Sequence, residues 1–188
     1  GERMAETTRR VAPERKQRII DACLDVIAER GVTGTSHRVV AAAAHVPLGS
    51  MTYYFDGMAD LLHQAFEQFA QQAIDQFGRR IDGASTALQA CEAIAVHIEG
   101  DLLRTQRDLN LNLELYTLAA RDPAYRDIGE RWMAASRTQY ERFFDHETAV
   151  LLDAMVEGLT LHRALGNVAR DPAIIREGIR RIVAREAV

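Results

Sequence analysis

Residues 36–55 read SHRVVAAAAHVPLGSMTYYF. Ser36 is a good helix N-cap, nothing before Ala44 breaks the helix, and His45-Val46-Pro47 interrupts it. Leu48 to Tyr54 then fits a second short helix. Two short helices joined by a tight break form the helix-turn-helix plan, whose second helix enters the major groove of DNA. Such a pair needs small residues where its helices cross, which Ala41 to Ala44 supply. Val40, Val46 and Met51 are placed to pin it to a preceding helix. Leu48, Gly49 and Ser50 would offer amide groups and the positive end of the second helix to phosphate. A four-alanine helix is equally explained as a packed piece of core, so the pattern alone leaves both readings open.

Upstream, Pro13 is expected to open a helix running to Arg30, with Ile19, Ile20, Cys23, Val26 and Ile27 on one face and Gly31 as its stop. Downstream, Asp56 is expected to cap a long amphipathic helix from Met58 to about Ile81, with Leu61, Leu62, Ala65, Phe66, Phe69, Ile74 and Phe77 as its apolar stripe. Ser85 should cap a helix to about Arg104, followed by a shorter one over Leu109–Ala120. Asp122-Pro123 and Asp171-Pro172 are N-cap–proline start signals. They open helices to about Phe144 and Arg185, and Asp145 caps one between them. No five-residue run alternates as a strand would. The fold class is all-α, about nine helices.

The chain has 188 residues, 47% apolar and 27% charged, enough for a sizeable core. The net charge of −4 is unevenly spread: residues 1–56 carry +1 and residues 57–188 carry −5. Arg3, Arg9, Arg10, Arg15, Lys16 and Arg18 crowd the beginning. A basic end on an acidic body fits a protein that touches DNA at one end; a solvated basic face is the alternative. No run of 18 apolar residues predicts a membrane span. The opening GERMAETTRR has no apolar segment, so no secretory signal is expected. Cys23 and Cys91 lie far apart, without the spacing of a disulfide scaffold or zinc ribbon, and are expected to be buried neutral thiols. The expected compartment is therefore the cytoplasm.

An enzyme is the rival class. Di-metal helical bundles need two Glu-x-x-His motifs, and the nearest match is a single Asp60-Leu-Leu-His63. There is no glycine-rich phosphate loop, nucleophile elbow or His-Glu-x-x-His. No catalytic residue, metal or cofactor is expected.

From Arg15 to Leu62 the chain resembles the N-terminal DNA-binding domain of the TetR family of bacterial transcriptional regulators. The resemblance is carried by RKQRIIDACLDVIAERGV (15–32), TSHRVVAAAAHVP (35–47), PLGSMTYYF (47–55) and the acidic-capped helix bearing Leu61-Leu62. The segment beginning TAVLLDAMVEGLTLHRAL (148–165) resembles a C-terminal region found in one group of these regulators, while residues 80–145 carry nothing beyond helix periodicity. It implies an N-terminal arm and helix-turn-helix domain over 1–57 and a helical regulatory, ligand-binding and dimerisation domain over 58–188. It also implies a homodimer on a palindromic operator in double-stranded DNA, most often repressing, released when a small molecule shifts the fourth helix.

By the same resemblance, Ser36 and His37 meet phosphate. Arg38 reaches either a base or phosphate, a surface ion pair being the plainer alternative. Pro47, Leu48, Gly49 and Ser50 line the approach, with Leu48 against a thymine methyl. Tyr53 and Tyr54 grip backbone, and Phe55 anchors the domain core. Two positions depart from the family's pattern: Thr52 stands where tyrosine is frequent, and Met58 where a phosphate-contacting lysine is common. Arg9, Arg10 and Arg15 could compensate. Phe66, Phe69, His97, Arg104, Tyr116, Trp132 and Tyr140 are the candidate ligand-pocket residues. Each has an ordinary core role as its alternative, His97 most of all, and Asn110, Asn112 and Glu114 fit a solvated face. Leu151, Met155, Gly158, Leu159, His162, Leu165, Ile175, Gly178, Ile179 and Ile182 are candidates for a dimer interface built as half of an intermolecular four-helix bundle, with Gly158 permitting close helix approach; the alternative is that they close the monomer's own core. The competing function is a helical small-molecule or partner-binding sensor that does not read DNA.

Overall fold

The computed structural model describes residues 2–167 and 171–184, with side chains from residue 12 onward. Among the described residues there are nine α-helices and no strand. The first, α1, spans Glu2–Arg30. Pro13 does not open it but lies inside it. A proline removes one N–H donor and crowds the carbonyl four residues earlier. Residues 2–12 nevertheless include strong helix formers (Glu, Arg, Met, Ala), which carry the helix through. Gly31 ends α1 as expected, at φ 73°, donating its N–H to the Ile27 carbonyl at 2.8 Å.

A 3-10 turn at Val32–Gly34 leads to α2, His37–Ala44. A second 3-10 turn, Leu48–Ser50, runs into α3, Met51–Tyr54. The single short helix expected over Leu48–Tyr54 is thus a 3-10 turn followed by one α-turn. Gly49 and Ser50 are weak helix formers that follow Pro47-Leu48. Helix α4 covers Gly57–Asp82. Asp56 precedes it, and the Asp56 N–H donates to the Asp60 carboxylate at 2.8 Å, satisfying one of the donors a helix start leaves open.

Helix α5, Ala87–Val96, is capped by Thr86 rather than Ser85. Thr86 holds the extended backbone an N-cap needs, and its Oγ1 accepts from the Gln89 N–H at 3.2 Å. The helix also stops short of Arg104, passing into a π-turn at His97–Asp101. Helix α6, Gln106–Ala119, starts earlier than expected because the Thr105 hydroxyl accepts from the Asp108 N–H. Helix α7, Pro123–Tyr140, ends before Phe144, in a turn over residues 141–143. Asp145 caps α8, His146–Leu165, and Asp171 caps α9, Pro172–Val183, as expected. The expected end of α9 at Arg185 lies outside the described residues.

The chain divides into two compact units, one of residues 1–69 with 110–125 and the other of 70–109 with 126–188. This division differs from the boundary expected at 57/58, because the first half of α4 and most of α6 belong to the N-terminal unit. In that unit Ile19, Cys23, Ile27, Val40, Met51 and Leu61 are completely buried. In the other, Phe77, Ile81, Ile94, Ile98, Tyr140 and Leu152 lead a single buried cluster. Each such side chain taken fully out of water contributes roughly 1.5–3 kcal/mol. Burial pushes the Cys23 thiol up to about 12 and raises that of half-buried Cys91, so both are neutral thiols.

Candidate nucleic-acid interface

Helix α2 begins as residues 36–39 predict: Ser36 is extended and its Oγ accepts from the Val39 N–H at 3.3 Å. It ends on His45, which takes the left-handed conformation (φ 55°, ψ 46°) while the Val46 N–H returns to the Ala41 carbonyl at 3.0 Å. Histidine tolerates that conformation less well than glycine, at a cost of about 1 kcal/mol. The tight break is real. Of the four alanines only Ala41 and Ala44 are buried; Ala42 and Ala43 are exposed, so two small residues, not four, make the crossing. Val40, Val46 and Met51 are buried and pin the pair as expected, and Phe55 joins them. The Lys16 ammonium sits 5.6 Å from the Phe55 ring centroid.

The outward face carries the remaining residues. Ser36, Arg38, Pro47, Leu48, Gly49, Thr52 and Tyr53 are exposed; His37, Ser50 and Tyr54 are half-buried. Leu48 is 44% exposed and Tyr53 78%. Tyr53 stands edge-to-face with Tyr54, at 4.9 Å between ring centroids. The Nε2 of His37 is buried with no hydrogen-bond partner among the described residues. The Thr52 hydroxyl donates to the Gly49 carbonyl at 3.1 Å, which steadies the 3-10 turn. With one α-turn in α3, the amides and side chains of 47–54, rather than a helix dipole, are what this face offers. Met58 is half-buried, Arg15 likewise, and the side chains of Arg9 and Arg10 lie outside the described residues.

The three residues read as a solvated face, Asn110, Asn112 and Glu114, prove otherwise. The Glu114 carboxylate accepts from the Val32 N–H at 3.2 Å, and Asn110 donates through its side-chain amide to the Ala28 carbonyl at 2.9 Å. The positive φ of Gly31 favours glycine, and a Cβ there would also meet the Glu114 carboxylate at 2.8 Å and displace it. Helix α6 is therefore fastened to the end of α1 and to the turn that introduces α2. Asn112 is buried, and its side-chain oxygen has no partner among the described residues.

The candidate ligand residues fall in both units. In the N-terminal unit Phe66 and Phe69 are buried a turn apart on α4, Phe66 edge-on to Tyr125 at 5.8 Å, while Tyr116 is exposed. In the other unit His97 and Tyr140 both pack on the Phe77 ring, at 4.7 and 5.2 Å. Trp132 is half-buried there and Arg104 exposed. His97 has the polar partner a core histidine needs: its Nδ1 is 3.1 Å from Asp101, whose carboxylate accepts two hydrogen bonds from Arg80 at 2.8 and 2.9 Å. Burial holds the His97 pKa below its ordinary value, and hydrogen bonding from Arg80 holds that of Asp101 down. Arg163 donates to the carbonyls of Glu99 and Leu102, supplying donors where the π-turn ends.

A family model described as bacterial regulatory proteins, tetR family, matches residues 19–65. A second, described as the tetracyclin repressor-like C-terminal domain, matches residues 85–185, more than half of the chain. This chain belongs to the TetR family. A Streptomyces coelicolor A3(2) protein described as a transcriptional regulator is 47% identical; the alignment covers 91% of this chain and 99% of that one, with a TM-score of 0.85. The multidrug binding protein EbrR, complexed with malachite green, is 34% identical over 91% of this chain and 99% of its own, with a TM-score of 0.71. The HTH-type nicotine-responsive transcriptional repressor HdnoR of Paenarthrobacter nicotinovorans is 26% identical over 165 residues, 88% of this chain and 81% of that protein.

In this TetR-family regulator the expected dimer residues separate into two sets. Ile175 and Ile179 are buried in their own unit's core. This corrects their assignment to an interface: on α9 they point inward, and Ile174, which is 55% exposed, faces out. Leu151 and His162 are exposed, Leu165 is 58% exposed, and Met155, Gly158, Leu159 and Ile182 are half-buried. A Cβ on Gly158 would meet nothing, whereas one on Gly178 would stand 2.9 Å from the Met155 sulfur. Gly178, not Gly158, permits close helix approach within the chain. Beside it Ala173, Ile174, Glu177, Gly178 and Arg181 line an open groove of about 450 Å³. Among the described residues no helix is long and apolar enough to cross a membrane.

Proposed function

We propose that this TetR-family regulator is a cytoplasmic repressor that binds a palindromic operator as a homodimer and is released by a small molecule. The observation that carries this is the outward face of 36–54. A chain that buries Val40, Met51 and Phe55 leaves Arg38, Leu48 and Tyr53 of the same segment in solvent, the exposure a docking face needs. Ser36, His37, Arg38, Pro47, Leu48, Gly49, Ser50, Thr52, Tyr53 and Tyr54 form the DNA-contacting set, Arg38 as the base reader and the tyrosines on phosphate.

The dimer forms through the exposed apolar residues of α8 and α9, Val150, Leu151, Leu165 and Ile174, with the open flank of Gly158 between them. The ligand enters the helical body over residues 58–188, where His97, Arg104, Trp132 and Tyr140 of one unit, and separately Phe66, Phe69 and Tyr116 of the other, are the candidate contacts. It favours the conformation in which the two recognition segments no longer match half-sites about one helical turn apart. Helix α6 is the route by which that preference reaches the turn before α2, through Glu114 and Asn110.

The test is selection of bound sequences from random duplex DNA with the purified full chain at stated salt. Enrichment of a palindrome, with sedimentation as a dimer, is the expected result. A folded dimer that enriches no sequence would overturn the DNA-reading part and favour a sensor without an operator.

A further inference from the structure

Helix α3 is a single α-turn, too short to hold its own geometry in water, so its position depends on what its ends are fastened to. At its start the fastening is Met51, which is completely buried. At its end it is Phe55, 3% exposed and in extended backbone, whose N–H donates to the Met51 carbonyl at 3.0 Å. Gly57 then turns the chain into α4 through the left-handed region, at φ 88°. Asp60 holds the backbone of this exit: its carboxylate accepts from the Asp56 N–H at 2.8 Å and from the Gln64 side-chain amide at 3.0 Å. The Gln64 and Asp56 bonds, helped by the nearby charge of Lys16, keep the Asp60 carboxyl below its ordinary pKa.

Lys16 reaches this exit from α1. It stands three and four residues before the buried Ile19 and Ile20, at the edge of the face that enters the core, and is itself half-buried. A lysine so placed lays its stem along the core and keeps its head at the rim. Here the ammonium lies over the Phe55 ring, 5.6 Å from its centroid, where the ring's negative face attracts it. The aromatic row continues outward: the Tyr54 centroid is 6.5 Å from that of Phe55, and Tyr53 is 4.9 Å from Tyr54. Lys16 is at the inner end of this row, and Tyr53 at the end in solvent.

We propose that Lys16 is a positioning residue for DNA reading: its ammonium braces the Phe55 ring and through it sets Tyr54 and Tyr53 for the DNA backbone, without touching DNA itself. This rests on the DNA-reading function above and adds to it a residue of α1. A cation near DNA has a plainer use, direct contact with phosphate, and the two roles leave different marks. Removing a phosphate contact flattens the dependence of log affinity on log salt by about 0.9, because one counterion fewer is released. Removing a brace on a ring releases no counterion and leaves that slope alone.

The test compares the full wild-type chain with Lys16→Met, which keeps most of the stem and drops the charge, and Lys16→Arg, which keeps the charge. Binding to the selected duplex is followed by fluorescence anisotropy from about 50 to 200 mM salt. Lys16→Met should bind about three- to tenfold more weakly throughout, with the wild-type slope, and Lys16→Arg should stay within about twofold of wild type. Hydrogen exchange of the free proteins gives a readout without DNA. The Phe55 amide should exchange about three- to tenfold faster in Lys16→Met, while the amides of α2 keep their wild-type rates. The proposal is overturned by unchanged affinity in folded Lys16→Met, by a slope flatter by one contact, or by a loss that Lys16→Arg does not restore. Should Lys16→Met not fold, Lys16→Gln takes its place; failure of both to fold also overturns the proposal, since Lys16 would then support the whole domain. If the wild type enriches no duplex, the DNA-reading function falls, and the brace on Phe55 is judged by exchange alone: equal Phe55 rates overturn it. If the wild type binds its duplex and Lys16→Met changes nothing, only the proposal for Lys16 falls.

Discussion

The recognition segment and the core around the π-turn handle polar and apolar groups in opposite ways. Residues 36–54 close their backbone bonds locally, through the Ser36 cap, the left-handed His45 and the Thr52–Gly49 contact, and leave Leu48 and Tyr53 in water. The core around Phe77 buries His97 at 3% exposure, and beyond the local His97–Asp101 pair its polar groups are met by distant residues. Arg80 comes from α4 and Arg163 from α8 to reach Asp101 and the carbonyls of the π-turn. A segment satisfied by its own neighbours in sequence can offer its surface to a partner. A segment satisfied by distant ones cannot change without moving them.

The comparison predicts a large stability effect inside the core and almost none on the recognition face. Phe77→Ala removes the ring on which both His97 and Tyr140 pack and should cost about 3–5 kcal/mol in urea unfolding. A cost under about 1 kcal/mol would mean the core is looser than its burial suggests. Tyr53→Ala should change stability by less than about 0.5 kcal/mol, yet lower affinity for the selected duplex about tenfold. Equal affinity would remove Tyr53 from the DNA-contacting set.

Glu114→Ala sharpens the contrast, because it touches the recognition module from a distant helix. It leaves the Val32 N–H without its partner and should cost about 1 kcal/mol of stability, with a small loss of duplex affinity. No change in either would show that α6 does not hold the turn before α2. The smallest effect concerns pH. Burial depresses the His97 pKa in the folded state, so below about pH 6.5 the unfolded chain binds the extra proton and stability falls as pH falls. Asp101, also depressed, contributes stability that is present above its unfolded value and lost below about pH 4. His97→Gln should flatten the slope between pH 7 and 5 and leave the acid limb, as followed by thermal melting. A slope unchanged in this variant would assign it to other groups.

Much of the helical plan is legible along the chain because caps are local. Ser36, Asp145, Asp171 and Gly31 each act on an N–H or C=O group within about four residues, so sequence neighbours determine them. Where a local signal had a near-equal rival, it was misplaced by one residue or more. Thr86 outcompetes Ser85, Pro13 is overridden by the helix formers before it, and Phe144 lies beyond the end of α7. The recognition segment is legible for the same reason, with its residues 36–55 contiguous.

What only the tertiary structure decided are the long-range pairings. Nothing in RDLNLNLELY distinguishes a solvated Glu114 from one that binds an amide 82 residues away. The apolar period of α9 marks Ile174, Ile175, Ile179 and Ile182 alike, and only packing against the α5–α8 core turns Ile175 and Ile179 inward and leaves Ile174 outside. Thr160 is an ordinary residue of an amphipathic helix until its surroundings show a buried hydroxyl without a partner among the described residues. Backbone satisfaction and helical period are properties of a few neighbouring residues, and the sequence alone determined them. Which side chains lose their water, and whether a partner waits for them, depends on chain segments that meet only in the folded protein.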